Sequence, residues 1–303
     1  MLYELKDKIN RAIFDHSVRE ILKTAPLQFD QSAKAVILTQ LQHKDVKMFL
    51  LAVKSFASHV PIRAVHILSD GTLTPSDIAV LDENIPSVVF YKLDQFRSTQ
   101  CPRGACWERL LTIAEIVKEN YVVQLDGDTL TLENIPEVVH CIEQELSFTL
   151  GTSDGQVMES MCVRRNEASK EISRHEHPHI QLLSEASFDG LTGYDTMRYS
   201  KGCAGFAGFA KGSFSREFVE NVSLQMESLV GSRWREWGSE QVMSNIVVAN
   251  TPGSLVLPHP KYGSCENLGK VTPSFIHFIG YCRFKNGCYS KFAKKVMSRL
   301  AST

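Results

Sequence analysis

Val122-Val123-Gln124-Leu125-Asp126-Gly127-Asp128 decides the reading of this chain. A short, unbroken apolar run ends in two carboxylates separated by one glycine. Continuous rather than alternating apolar residues mark a strand covered on both faces, the condition of a parallel sheet. The same pattern recurs upstream in Ala35-Val36-Ile37-Leu38-Thr39, Ala64-Val65-His66-Ile67-Leu68 and Ser87-Val88-Val89-Phe90-Tyr91. Helical periodicity lies between these runs. Val46, Phe49, Leu50, Val53 and Ala57 follow the 3.6-residue period behind Asp45, the expected N-cap, and residues 75–84 and Trp107 to Glu119 also read as helices. Strands alternating with helices predict an α/β fold, a mixed and largely parallel Rossmann-like sheet flanked by helices. Ligands of such sheets gather at the carboxyl ends of the strands, where Asp126 and Asp128 stand.

Outside this frame the pattern is looser. The first thirty residues predict an amphipathic helix with Leu5, Ile9, Ala12 and Ile13 on one face, closed by Pro26. Residues 146–151 read as a further strand, and helices are expected over 216–230 and about 240–250. Residues 153–200 are polar and rich in turn formers, which predicts a long functional loop that moves over a ligand. One domain is expected over 1–303, with about 33–150 as one half and about 151–303 as the other. The last stretch, 281–303, holds Arg283, Lys285, Lys291, Lys294, Lys295 and Arg299 and no acidic residue.

Composition excludes several classes. Among 303 residues, 33 basic and 34 acidic side chains give a net charge of −1, which argues against a general nucleic-acid binder. With 43% hydrophobic and 22% charged residues the chain can build a core, so disorder is excluded. No apolar run approaches the roughly 20 residues that span a bilayer. The charged N-terminus is unlike a secretory signal, so a cytoplasmic protein is expected. Eight cysteines without a CxxC pair argue against a zinc ribbon and read as reduced thiols.

Two carboxylates at a strand end suit Mn²⁺ or Mg²⁺, hard ions that take oxygen ligands and can also hold a diphosphate. One class with this arrangement is the haloacid-dehalogenase-type phosphatases, but there the motif lies near the N-terminus, and here Thr129 falls one position early. Four further segments accompany the pair in order: Trp107-Glu108-Arg109-Leu110-Leu111, Gly202-Cys203-Ala204-Gly205-Phe206-Ala207-Gly208-Phe209, Gly238-Ser239-Glu240-Gln241-Val242-Met243-Ser244-Asn245 and Ser274-Phe275-Ile276-His277-Phe278-Ile279-Gly280. Together they resemble the GT-A-fold nucleotide-sugar glycosyltransferases, family 8 in particular, the glycogenin and bacterial lipopolysaccharide galactosyltransferase type. The chain departs from that family at Ala204, where Asn is usual, at Glu240, where Asp is usual, and at the last box, which has Arg283 and Lys285 but no Pro-Trp.

The resemblance implies a metal-dependent transfer of sugar from a nucleoside-diphosphate donor, a UDP-sugar, to a hydroxyl on a carbohydrate, glycolipid or other acceptor, with retention at the anomeric carbon. It assigns Asp126, Asp128 and His277 to the metal. It assigns Thr39, Asp70, Arg109, Gly205, Gly280 and Arg283 to the donor, and Glu240, Gln241 and Lys285 to the chemistry. Trp234 and Trp237 are expected to stack on the acceptor. Each assignment has a plainer alternative. His277 can be a core side chain, Glu240 a helix N-terminal anion, His175-Glu176-His177-Pro178-His179 a solvated loop rather than a metal site. The basic C-terminus, with Phe292, Val296, Met297 and Leu300, can lie on anionic lipid at the inner face of a membrane or simply be a solvated helix face. An inverting enzyme with Glu240 as base and a non-catalytic sugar-binding relative complete the alternatives. A sugar nucleotidyltransferase would carry a glycine-rich loop after the first strand, whereas Thr39-Gln40-Leu41-Gln42-His43-Lys44 has no glycine.

Overall fold

The computed structural model describes residues 2–268 and 273–301. In chain order the helices are α1 (Leu2–Ser17), α2 (Val46–Ala57), α3 (Pro75–Asn84), α4 (Trp107–Ile116), α5 (Pro136–Glu143), α6 (Met161–Ile172), α7 (Ile180–Ala186), α8 (Arg216–Val230), α9 (Ser239–Ala249) and α10 (Cys288–Leu300). The strands are β1 (Ala35–Leu41), β2 (Ala64–Ser69), β3 (Val89–Lys92), β4 (Tyr121–Leu125), β5 (Thr129–Thr131), β6 (Phe148–Leu150), β7 (Glu159–Ser160), β8 (Arg198–Tyr199), β9 (Cys203–Phe209), β10 (Leu255–Leu257), β11 (Tyr262–Ser264) and β12 (Phe275–His277). The architecture is mixed α/β with mostly parallel strands flanked by helices, as the sequence predicts. The chain gathers into two compact units. The first comprises 1–92, 123–139 and 259–303, the second 93–122 and 140–258.

In the first unit β1 runs parallel to β2, with Val36 opposite Ala64, and β2 runs parallel to β3, with His66 opposite Val89. β4 lies on the other side of β1. Ile37 and Leu38 of β1 and Phe49, Leu50 and Val53 of α2 are fully buried, which is why both elements were legible as apolar runs. Asp45 precedes α2 but makes no side-chain cap; its carboxylate takes an ion pair from Arg11 at 2.6 Å instead. α2 also carries a buried ammonium. Lys54 Nζ donates to Thr24 Oγ1, the Ala25 carbonyl and Asn84 Oδ1 at 2.9, 2.9 and 2.7 Å, and burial pushes it down to about 8.

A second, small sheet in this unit has the order β11-β12-β5. β12 is antiparallel to β5, placing His277 opposite Thr129, and parallel to β11, placing His277 opposite Ser264. That pairing carries Cys265 toward Cys282, and the two form a disulfide with Cα atoms 5.9 Å apart. The reduced-thiol reading is therefore corrected for this pair, while Cys101, Cys106, Cys141, Cys162, Cys203 and Cys288 form no disulfide among the described residues. Disulfides are characteristic of oxidising compartments, so this pair removes one argument for a cytoplasmic chain.

Under the small sheet sits an aromatic stack. Phe278 lies on Tyr289 with ring centroids 4.0 Å apart, and Phe14 of α1 lies 4.3 Å from Tyr289. The Tyr289 hydroxyl donates to the Gly127 carbonyl at 3.3 Å. This contact decides which side of α1 is inside. Phe14, and Val18 just beyond the helix, are buried, whereas Ile9 and Ile13 are 52% and 60% exposed, and Ala12 is exposed, so the expected apolar face is corrected. Leu5 lies outside the residues whose side chains are described. On α10, Val296 and Met297 are buried while Lys291, Lys294, Lys295 and Arg299 are exposed. Val296 and Met297 are thus used within the fold, while Phe292 and Leu300, the other two apolar residues of the expected lipid-facing stripe, are partly exposed. Among the described residues no helix is long and apolar enough to cross a membrane.

In the second unit β6 lies between β9 and β10, antiparallel to β9 with Phe148 opposite Gly208 and parallel to β10 with Phe148 opposite Leu255. Residues 153–200 are not the structureless loop the sequence predicts. They hold α6, α7 and the antiparallel pair β7–β8, with Met161, Ile180, Phe188 and Tyr199 buried. Their helices lack a clear apolar period because charged and polar side chains share the buried face with Met161, Ala168, Ile180 and Leu182. Arg164 of α6 lies 3.2 Å from the buried Glu185 carboxylate of α7, and Arg165 lies 2.5 Å from Asp189.

The stack under Gly127 makes a stability forecast. Tyr289→Phe should cost about 0.5–1.5 kcal/mol, the net value of one hydrogen bond. Tyr289→Ala should cost about 3–5 kcal/mol, because it opens a cavity between α1, α10 and β12. Chemical denaturation of both variants measures this, and equal losses would contradict it.

Candidate metal centre

β4 delivers Asp126 and Asp128 as it ends, and a tight turn returns the chain into β5. Thr129 Oγ1 donates to the Asp126 carbonyl at 2.8 Å, and the Phe278 amide donates to the Asp128 carbonyl at 2.7 Å. The second bond extends the β5–β12 pairing, so the strand that ends in His277 is pinned to the acidic turn. Asp126, Asp128 and His277 offer ligand atoms that all lie within 4.8 Å of one another. Among the described residues no other group of three or more such side chains does this. The histidine run 175–179 forms no such cluster; His179 instead accepts a hydrogen bond from the Gln181 amide at 3.2 Å at the start of α7.

His277 and Asp128 are buried, at 6% and 9% exposure, and His277 Nε2 lies 3.2 Å from Asp128 Oδ1. Two adjacent ligands about 2.1 Å from an octahedral ion sit about 3.0 Å apart, so this edge fits Mn²⁺ or Mg²⁺, and two oxygens plus one imidazole are a reasonable donor set. Arg283 Nη2 donates to the other oxygen, Asp128 Oδ2, at 2.5 Å, and Arg283 Nε donates to the Phe278 carbonyl at 3.1 Å. Burial alone would raise the Asp128 carboxyl. His277, by charge and hydrogen bond, and the Arg283 guanidinium outweigh it and hold the group well below the ordinary carboxylate range. Arg283 is raised in turn: burial lowers it, and the charges of Asp128 and Asp45 more than compensate.

The other assigned residues are placed as follows. In the first unit Thr39 is fully buried within β1. Asp70 accepts from the Thr72 amide and hydroxyl at 2.9 and 2.7 Å, closing the turn after β2. Gly280 is exposed with open space around it, and Lys285 is exposed and lines a cavity of about 330 Å³ with Glu266, Tyr281 and the disulfide.

In the second unit Arg109 and Glu240 are 5% and 3% exposed and face each other, Arg109 Nη2 lying 3.3 and 3.2 Å from the two carboxylate oxygens. Their helices are set by neighbours. Trp107 Nε1 donates to Ser239 Oγ at 2.9 Å, and Gly238 starts α9 at φ +107° with the His179 ring so near that a Cβ would lie 2.6 Å from it. Gly205 is buried in β9. Gln241 is partly exposed, and its Oε1 accepts from the Ala204 amide at 3.2 Å. Trp234 corrects an expectation. It is fully buried, donates to Ser223 Oγ at 3.0 Å and meets Trp107 edge-on, so it is not open to an acceptor, whereas Trp237 is 74% exposed. No local pattern marks Arg283 as the partner of Asp128, because the two are 155 residues apart.

No family model matches this chain, and no curated protein sequence does. Solved structures do. The WbbM bifunctional glycosyltransferase, in its apo form, superposes with a TM-score of 0.51 at 12% identity, over 89% of this chain and 53% of that one. The glycosyltransferase GlyE of Streptococcus pneumoniae TIGR4 superposes with a TM-score of 0.50 at 12% identity, over 89% of this chain and 64% of that one. The galactosyltransferase LgtC, in complex with donor and acceptor sugar analogs, gives 0.42 at 13% identity, over 88% and 95%, and adds nothing to the fold argument at that score. The chain thus spans between half and two thirds of the length of the first two. Its fold is that of GT-A glycosyltransferases.

The depressed Asp128 carboxyl has a measurable consequence. A carboxylate held below its ordinary range contributes stability at pH values above that range and loses it as pH falls through it. In chelator, Asp128→Asn should therefore be less stable than the wild type at pH 6, and the gap should close below about pH 4. Urea denaturation across pH checks this; a gap that does not change with pH would contradict it.

Proposed function

We propose that the protein is a metal-dependent glycosyltransferase that moves a sugar from a nucleoside-diphosphate donor, a UDP-sugar by resemblance, to a hydroxyl acceptor with retention. The observation that carries the reading is the Asp126–Asp128–His277 group at the end of a buried strand in a GT-A fold. These three side chains would hold Mn²⁺ or Mg²⁺. Bound there, the ion supplies a Lewis acid that offsets the charge of the departing diphosphate.

The chain's own residues do the rest. His277 and Asp128 hold their positions through the β5–β12 pairing before any ligand arrives, so no reorganisation is needed when charge develops. Arg283, anchored through its Nε on the Phe278 carbonyl, presents its remaining donors beside Asp128. Its forked geometry suits phosphate oxygens, and Lys285 adds a second positive charge on the same segment. Gly280 leaves room for the phosphates to approach the backbone. In the second unit Glu240 and Gln241 are assigned to the sugar, and Trp237 offers an exposed ring to the acceptor. Thr39, Asp70, Arg109 and Gly205 keep their assignment to the donor. The Arg109 guanidinium already engages both Glu240 oxygens, which favours retention over an inverting reaction with Glu240 as base. Peripheral contact with anionic lipid rests only on the exposed basic side of α10.

Titration of Mn²⁺ in the presence of UDP tests the metal assignment. His277→Ala should weaken Mn²⁺ binding more than about tenfold, since even outer-shell losses reach that scale, and Lys285→Ala should leave it unchanged. Equal Mn²⁺ affinity in the wild type and His277→Ala would remove His277 from the centre.

A further inference from the structure

Glu185 of α7 has no exposed surface, lies in the second unit and belongs to none of the motifs above. Its Oε1 accepts a hydrogen bond from Gln181 Nε2 at 2.9 Å, one turn earlier on the same helix. Gln181 Oε1 accepts in turn from Gln241 Nε2 at 3.2 Å, and Gln241 Oε1 accepts from the Ala204 amide of β9 at 3.2 Å. Arg164 Nε and Lys201 Nζ stand 3.2 and 3.4 Å from Glu185 Oε2, so the buried carboxylate faces two cations. Burial raises the Glu185 carboxyl above its ordinary range, and Lys201, the Gln181 amide and Arg164 offset only part of that rise, holding the carboxylate form by charge and hydrogen bond.

An ionised carboxylate accepts hydrogen bonds and donates none, whereas a carboxamide has one accepting and one donating end. Only the Nε2 end of Gln181 can face Glu185. Its Oε1 is then left for Gln241, which must answer with Nε2 and so turns its own Oε1 to β9. The direction of the whole chain is fixed at its buried end. One lone pair of Gln241 Oε1 and one proton of Nε2 are used within the protein. The other lone pair and the other proton are presented in fixed places by a partly exposed side chain.

We infer that Glu185, acting through Gln181, is the positioning residue that orients the Gln241 carboxamide so that it offers one acceptor and one donor to the hydroxyls of the transferred sugar. The inference rests on the reading of Gln241 as a sugar-facing residue. Glu185→Gln keeps the shape but gives residue 185 a donating end, so the chain no longer has one direction. Exchanging the two residues, Gln181→Glu with Glu185→Gln, restores an acceptor-only group, now directly against Gln241 Nε2.

The test reads two quantities in the full-length protein. The side-chain amide of Gln241, identified by its absence from Gln241→Ala, is followed by ¹⁵N NMR hydrogen exchange. Hydrolysis of UDP-galactose and UDP-glucose with Mn²⁺ is followed in parallel, with UDP affinity and melting temperature as controls. Glu185→Gln should speed exchange of the Gln241 amide about tenfold and slow hydrolysis by a similar factor, leaving UDP affinity unchanged, and the exchanged pair should recover both. A role confined to packing would lower the melting temperature without this recovery. Wild-type exchange of the Gln241 amide in Glu185→Gln would overturn the relay. Wild-type hydrolysis in Gln241→Ala would instead overturn the reading of Gln241 on which the relay depends.

Discussion

The antiparallel pairing of β5 with β12 is the constraint on which the candidate centre depends. Each strand has three residues, too few to hold together on backbone hydrogen bonds alone. The pairing persists because it is sandwiched. Ser55 of α2 accepts from the Thr131 amide at 3.1 Å on one strand, and the Phe278–Tyr289–Phe14 stack follows the other. The acidic turn, the histidine and the arginine are thereby brought to one place from distant parts of the sequence. The disulfide between Cys265 and Cys282 closes the same segment from its far side, just beyond His277 and just before Arg283.

Electrostatics at Asp128 follows from that geometry. A buried carboxylate is costly unless paired, and here each oxygen has a cationic or protonatable partner, His277 on one and Arg283 on the other. The same arrangement that pairs the carboxylate in the folded protein leaves its Oδ1 and His277 Nε2 at the spacing of two adjacent metal ligands. Stability and ligand binding draw on one set of atoms, so a cation and a proton compete for the imidazole.

Much of the fold was legible because β1, β2, β4 and α2 are buried on all sides or along one broad stripe, and burial writes itself into apolar runs. The metal residues were legible because two carboxylates after such a run have few structural uses. What escaped the sequence has identifiable causes. α6 and α7 bury Arg164 and Glu185 on the same faces as Met161, Ala168, Ile180 and Leu182, so no clean apolar periodicity announced them. α1 turns Phe14 inward because an aromatic partner awaits it, a fact that no local pattern contains. Trp234 and Trp237 are three residues apart and look alike in sequence, yet the first fills the core beside Trp107 and the second is exposed. The disulfide required the β11–β12 register, and pairing among eight cysteines cannot be deduced without it.

The candidate centre stands or falls on whether Asp126, Asp128 and His277 share one ion. Anomalous diffraction at the manganese edge, from crystals grown with MnCl₂ and UDP, tests this most directly. One strong peak bounded by these three side chains, with His277 Nε2 and Asp128 Oδ1 each about 2.0–2.3 Å from it, is the predicted result. A density map without that peak, in which Arg283 and His277 still occupy both oxygens of Asp128 while UDP is bound elsewhere, would contradict it.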